Sequence, residues 1–346
     1  MTTFMVSRVA GPVVRGFARF GLAAVIGALT IVPAGAQQAA KYPSRPITLI
    51  TPYAVGGDSD LAARNFAAAA TRALGQTVLV MNRPGASGTI GSQQVLQAAP
   101  DGYTLLLARP GSQAILPAIM PSLTKYKWDD FTFIGTLEIN AYGCMVSGKS
   151  NYKSFDDLVK ALRTRGKAMN FGTAGVLTTN DMGPRQLFKV LKLTDQTPTQ
   201  VPYKATSEAA TSLMTGETDF ACGSLGTFVS GIKSGQLRAL MVTTPERMAS
   251  FPDVPTAREL GYADMEAIVG WSAVFGPPNL PADVKERLVA ALKAVAEDTG
   301  WQTGTANSAS VPFVRSPEET RDFILKQHQL YRGLGELHNL IDKVQL

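Results

Sequence analysis

Ile47-Thr48-Leu49-Ile50-Thr51-Pro52-Tyr53-Ala54-Val55-Gly56-Gly57-Asp58-Ser59-Asp60 runs directly into an Ala-rich stretch, residues 61–74, that stops at Gly75. Residues 47–50 are rich in β-formers and read as a strand. Residues 52–60 carry Pro52, Gly56 and Gly57 and read as a loop. Residues 61–74 read as a helix, ended, as helices commonly are, by a glycine. The rhythm continues with residues 77–81 as strand, 82–88 as loop and 90–99 as a helix stopped by Pro100. An Asp101-Gly102 turn then precedes the apolar strand 103–107. Strands alternating with helices at this spacing predict an α/β fold built on a parallel sheet with both faces covered.

Past Phe131 the pattern resumes. Residues 144–146 read as strand, and Ser154 caps a helix with Asp157 three residues on. Residues 168–171 read as strand, 181–191 as helix and 201–203 as strand. Ser207 reads as the cap of a helix closed by Gly216, and residues 219–222, 237–242 and 267–274 as strands. The tail is helical: residues 281–299, then a long helix opened by Ser316-Pro317-Glu318-Glu319. There is length enough here for two cores, and no low-complexity linker divides them. Two lobes without a tether are joined by segments that cross between them, placed at residues 137–143 and 267–272. Lobe 1 is then residues 41–140 with 272–346, lobe 2 is residues 141–271, and a cleft lies between them.

Toward the N-terminus, residues 1–19 carry Arg8, Arg15 and Arg19 and no acid. An apolar run, residues 20–32, and Ala34-Gly35-Ala36 follow. These are the parts of a secretory signal peptide, residues 1–36, cut after Ala36, which predicts an exported product. The apolar run is shorter than the roughly 20 residues that span a bilayer. Loss of the three arginines takes the formal charge from +6 to +3. That leaves little support for a nucleic-acid partner. Cys144 and Cys222 sit in an oxidising compartment on this reading. They form either a disulfide or two buried thiols on neighbouring strands.

Three glycine-bearing loops stand where a strand meets a helix: residues 51–60, residues 82–91 and, in the other lobe, residues 172–180. Glycine lets backbone approach a ligand, and a helix N-terminus offers unpaired N–H groups with partial positive charge. In α/β sheets such loops gather at the carboxyl ends of strands, where ligands bind. Each glycine alone is equally a tight turn, but three loops in both halves favour one carboxylate-binding cleft. Gly85-x-x-Gly88-x-x-Gly91 misses the dinucleotide spacing, and none of the three loops ends in Gly-Lys-Ser/Thr. His328 and His338 are the only histidines, ten residues apart. A zinc site or a histidine-based nucleophile therefore lacks its parts, and a hydrolase using Ser87 or Ser224 lacks its base. No metal, cofactor or catalytic residue is expected.

Tyr42-Pro43-Ser44-Arg45-Pro46-Ile47 with the 52–60 loop, and Asn82-Arg83-Pro84-Gly85-Ala86-Ser87-Gly88 running on to Pro100-Asp101-Gly102-Tyr103-Thr104-Leu105, resemble the Bug family. These are the extracytoplasmic substrate-binding proteins of tripartite tricarboxylate transporters. Val201-Pro202-Tyr203-Lys204, Ser234-Gly235-Gln236-Leu237-Arg238-Ala239-Leu240, Pro252-Asp253-Val254-Pro255-Thr256 and Gly270-Trp271 extend the resemblance in order along nearly the whole mature chain. It implies a two-lobed periplasmic binding protein fold, type II-like, that closes on a di- or tricarboxylate. It also implies a monomer that delivers its solute to a permease of two integral-membrane subunits. A ligand-sensing partner of a membrane receptor would keep the same cleft.

By the same resemblance Tyr53, Gly57, Asp58, Ala86, Ser87 and Gly88 grip a ligand carboxylate, and Thr173 and Thr178 meet its far end. Thr179 and Asn180 of the third loop and Ser112 join the candidate set. Three positions depart from the family pattern: Arg109 for a small residue, Leu177 for a glycine, Asp181 for a histidine. Arg109 reads as a bidentate clamp for a second carboxylate or as a solvated arginine. Tyr53 and Trp271 are stacking partners for an aromatic ligand such as terephthalate, or else core and hinge packing.

Overall fold

The computed structural model describes residues 42–193 and 197–344, so the expected signal peptide lies outside the described residues. The chain opens β1 (Ile47–Thr51), α1 (Asp58–Leu74), β2 (Val78–Asn82), α2 (Thr89–Leu96) and β3 (Thr104–Ala108). Two short helices, α3 (Leu116–Ile119) and α4 (Pro121–Thr124), precede β4 (Thr132–Asn140). One residue later comes β5 (Tyr142–Ser147), then α5 (Phe155–Arg165), β6 (Asn170–Thr173), α6 (Thr179–Val190) and β7 (Thr199–Pro202). Next are α7 (Thr206–Thr215), β8 (Ala221–Ser224), α8 (Val229–Lys233) and β9 (Leu237–Val242). β10 (Gly270–Gly276), α9 (Ala282–Ala296), α10 (Thr299–Asn307), β11 (Ser310–Pro312) and α11 (Pro317–Leu337) follow.

β1, β2 and β3 pair in parallel, as the alternation predicts. Both faces of this part are covered. Ile47, Leu49, Leu105 and Leu107 point into one apolar cluster, and Ile50, Leu106 and Ala108 into another. The alanines of α1, buried at 62, 63, 67, 69 and 70, let that helix lie close on the first cluster beside α9.

The expectation of an all-parallel sheet fails beyond β3. The six strands lie in the order β11-β4-β10-β3-β1-β2, with β10 antiparallel to β3 and β4, and β11 antiparallel to β4. The reason is in the path of the chain. β4 leads out of this sheet into β5 of another, and β10 returns beside it, so the two run opposite ways. β5 pairs antiparallel with β8 and β9, β6 pairs parallel with β7, and a Phe171–Phe220 bridge joins these strands.

Cys144 and Cys222 stand directly opposite on β5 and β8 and form a disulfide, Cα atoms 4.0 Å apart. Of the two readings left open, the disulfide holds, and the strands are neighbours as well. Tyr142, fully buried at the start of β5, donates its hydroxyl to the Cys222 and Thr179 carbonyls. It packs on Gly183 of α6, where any Cβ would collide with the phenol ring. The backing of the passage between sheets is continuous core: Trp271, Tyr142 and the α11 residues Ile324, Tyr331 and Leu334 share one apolar cluster.

Candidate functional site

β1, β6 and β7 each feed a helix whose N-terminus opens on one cleft, lined among others by Gly57, Asp58, Thr178, Thr179, Asn180, Ala205 and Thr206. Gly57, Thr178 and Ala205 are the N-cap residues of α1, α6 and α7, and none of the three ends has a side-chain cap. Elsewhere α5, α10 and α11 are capped by Ser154, Asp298 and Ser316, while α2 and α9 also lack a side-chain cap. The first N–H groups of a helix have no intrahelical partner and carry partial positive charge. Three uncapped ends around a cavity of about 110 Å³ make a concave donor surface.

Arg109, one residue past β3, lines the same cleft and is only 7 % exposed. Its Nη1 donates to Ser272 Oγ at 2.7 Å, the one hydrogen bond of the guanidinium among the described residues. A guanidinium carries five N–H donors, so most of this one has no protein acceptor. Ser272 Oγ in turn donates to Glu138 Oε1 at 3.2 Å. Burial pushes the Glu138 carboxyl above its ordinary range, against the pull of Arg109 and of its hydrogen-bond donors.

The first loop is held from both ends. Asp60, the last residue of the 52–60 loop by sequence, lies inside the first turn of α1, which starts at Asp58. Its carboxylate accepts from the Gly56 N–H, Arg64 and Asn82 Nδ2. Burial alone would raise its pKa, but these hydrogen bonds and the Arg64 charge hold it below the ordinary carboxylate range. Asn82 also donates to the Tyr53 carbonyl at 3.1 Å, tying the second loop to the first.

In the second loop Ala86 and Ser87 have φ of 44° and 49°, and Gly88 has φ of 100°. A Cβ on Gly88 would stand 2.9 Å from Ser112 Cβ and 3.2 Å from Tyr53 Cζ. Ala86, Ser87, Gly88 and Ser112 are not among the lining residues; Ser87, Gly88 and Ser112 stand against Tyr53, which does line the cleft. Tyr53 donates to the Ser87 carbonyl at 3.2 Å, and burial pushes its phenol up to about 12, so it is neutral at ordinary pH.

In the third loop Thr173 is fully buried and braces the turn by donating to the Gly175 carbonyl at 2.9 Å. Leu177 takes the left-handed conformation, φ 54°, that its missing glycine would adopt freely. The strain, about 1–2 kcal/mol, is opposed by a fully buried side chain and by its N–H bonding Asp181 Oδ2 at 2.9 Å. Asp181, 1 % exposed, also accepts from Arg185 Nε at 2.7 Å, so it serves the loop and helix. Trp271 is not a cleft residue: it is wholly buried against Phe323. Of the two rings read as stacking partners, Tyr53 alone reaches the cleft.

The walls touch across the cleft. Ser87 Oγ donates to the Val176 carbonyl at 3.2 Å, and Thr227 Oγ1 donates to Asp58 Oδ1. The arrangement is a closed one.

Sequence reasoning missed Lys204, Ala205 and Thr206, which line the cleft at the start of α7. The Val201-Pro202-Tyr203-Lys204 motif pointed there, but Ser207 was taken as the cap, whereas the helix opens at Thr206. It also passed over Gly143-Cys144-Met145-Val146-Ser147-Gly148-Lys149-Ser150, which has the spacing of a phosphate-binding P-loop. Residues 143–147 of that octet are strand β5 and α5 starts only at Phe155, so no phosphate cradle forms.

Ser87 spends its hydroxyl on Val176, Ser224 is 3 % exposed, and His338 Nε2 pairs with the Arg185 carbonyl. Among the described residues no group of three or more His, Cys, Asp or Glu is placed to hold a metal. Nor is any helix there long and apolar enough to cross a membrane.

Residues 62–339 match the family model described as the tripartite tricarboxylate transporter family receptor. A UPF0065 protein of the ttuE-ttuC' intergenic region of Agrobacterium vitis is 38 % identical over 291 residues, covering 84 % of this chain and 82 % of that one. BugT of Bordetella pertussis is 30 % identical over 90 % of this chain and 96 % of its own. Among solved structures, the periplasmic binding protein BugD superposes with a TM-score of 0.78 at 27 % identity, covering 87 % of this chain and 99 % of its own. MatC of Rhodopseudomonas palustris, solved with bound malate, superposes with a TM-score of 0.77 at 26 % identity, over 85 % of this chain and 100 % of its own. The two-lobed α/β architecture is that of these periplasmic binding proteins. A family match over most of the chain, with relatives and structures agreeing along its length, establishes that this chain belongs to the tripartite tricarboxylate transporter receptor family, the Bug-type solute-binding proteins.

Proposed function

We propose that the protein is a periplasmic solute-binding protein that captures a small dicarboxylate without transforming it. It then passes the solute, as a monomer, to a permease of two integral-membrane subunits. The observation that carries this reading is Arg109, a cation more than nine-tenths buried in the cleft wall with a single protein hydrogen bond. Around it stand three uncapped helix N-termini. A buried guanidinium with free donors is costly unless an anion completes it. One ligand carboxylate fits Arg109 and the N-terminus of α1, near Tyr53, Gly57 and Asp58. A second fits the N-termini of α6 and α7, near Thr178, Thr179, Asn180 and Thr206. Malate, bound in MatC, is a ligand of this kind. In this reading residues 41–140 with 272–346 move as one lobe and residues 141–271 as the other, after removal of residues 1–36.

Titration calorimetry with malate and the straight-chain C4–C8 dicarboxylates tests it. One-to-one binding with a micromolar Kd, about 8 kcal/mol, is expected, and mass spectrometry should recover the ligand unchanged. Turnover of the ligand would restore an enzyme reading, and binding of none of these acids would remove the dicarboxylate.

A further inference from the structure

Glu138 and Ser272 face each other across the β4–β10 pair, where the chain passes between the sheets. Neither lines the cleft, yet both connect to the residue that presents a buried charge to it. Arg109 and Glu138 make no direct ion pair. The Ser272 hydroxyl stands between them, accepting from Arg109 Nη1 at 2.7 Å and donating to Glu138 Oε1 at 3.2 Å. Glu138 is 3 % exposed and is surrounded by donors, with Asn140 Nδ2 at 3.2 Å on Oε1 and Thr305 Oγ1 at 3.4 Å on Oε2. Three donors and no acceptor favour the ionised acid and oppose the burial that raises its pKa. A buried carboxylate one hydroxyl away from a buried guanidinium does two things. It fixes the guanidinium through a single N–H, which leaves the other donors for the cleft. It also offsets part of the positive charge that an anionic ligand meets.

We propose that Glu138, acting through Ser272, is a positioning residue that sets the affinity of the Arg109 anion site without touching the ligand. The ligand part of this rests on the carboxylate reading of the cleft; the relay itself does not. Ser272→Ala removes the anchor of Arg109, whereas Glu138→Gln keeps an acceptor for Ser272 and removes only the charge. The two substitutions should therefore move affinity in opposite directions.

The experiment has two arms, both on the full mature protein. In the first, calorimetry uses the tightest binder among malate and the C4–C8 dicarboxylates, together with its half ester. Glu138→Gln should tighten the diacid by roughly 5- to 20-fold, since it removes a like charge on the order of 10 Å away at an effective dielectric near 20. The half ester should gain less. Ser272→Ala should weaken the diacid by about 5- to 20-fold, and Ser272→Thr should restore it. Unchanged affinity in Glu138→Gln, or equal changes for diacid and half ester, would overturn the charge role. Unchanged affinity in Ser272→Ala would overturn the positioning role.

The second arm needs no ligand. Thermal unfolding compares Arg109→Gln, Glu138→Gln and the double variant. Each single change strands a buried charge and should lower Tm by roughly 3–8 °C, and the double should fall no further than the worse single. Additive losses would show that the two charges are uncoupled. Coupling in this arm, with no acid bound in the first, would sink the carboxylate reading and leave the relay standing.

Discussion

Arg109 shows how far a single residue can be read from sequence. Its address was legible, because it follows an apolar strand and must emerge at the same sheet edge as the glycine loops. Its partners were not, since Ser272 lies 163 residues away and Glu138 reaches it only through that serine. Neighbouring positions on β10 illustrate the same limit. Trp271, Ala273 and Phe275 go into the core that α11 covers, while Ser272, on the opposite face of the pleat, meets Arg109. Sequence offered Trp271 as a ligand contact because nothing short of the strand's register tells which face is buried. Arg109→Ala should weaken dicarboxylate binding by roughly 10- to 150-fold, the worth of a charge-assisted hydrogen bond of about 1.5–3 kcal/mol. Arg109→Lys should recover only part of it, because an ammonium lacks the planar fork. Calorimetry, with circular dichroism to confirm an unchanged fold, decides both.

At the scale of elements, the strand–loop–helix alternation was legible because periodicity and glycine stops are local signals. The reversal of β10 was not, because strand direction depends on where the chain has been between β4 and β10. The loops owe their shape to acids just inside the helices. Asp60 bonds Gly56 N–H at 3.0 Å, and Asp181 bonds Leu177 N–H at 2.9 Å. The lowered folded-state pKa of Asp60 means its stabilisation is fully present above the unfolded-state pKa. It is lost as pH falls through the lower folded value. Asp60→Asn should therefore cost about 1–3 kcal/mol at neutral pH. In urea titrations the difference from the parent should disappear in strong acid; a pH-independent difference would assign it to packing. Across the cleft, Thr227→Val removes the hydroxyl that bonds Asp58 while keeping its shape. Ligand affinity should fall by about 3- to 10-fold with little change in Tm, as expected of a contact that holds the closed form and not the core.

For the whole molecule, one apolar cluster runs behind the crossing strands while the cleft opens in front of them. The Cys144–Cys222 bond sits in that region and closes a 78-residue separation. Replacing both cysteines with alanine should cost about 2–4 kcal/mol of stability, read from urea unfolding, and should leave ligand affinity within a few-fold if the closed form is intact. Two thiols on adjacent strands were legible as a possibility; pairing needed the register that places them opposite each other. The claim on which everything else depends is that the cleft between the sheets is a dianion site. A crystal structure of the mature protein with its tightest-binding dicarboxylate tests that directly. One carboxylate should lie within hydrogen-bond distance of the Arg109 guanidinium and the other at the N-termini of α6 and α7. A ligand seated elsewhere, or one that leaves the Arg109 donors facing water, would contradict it.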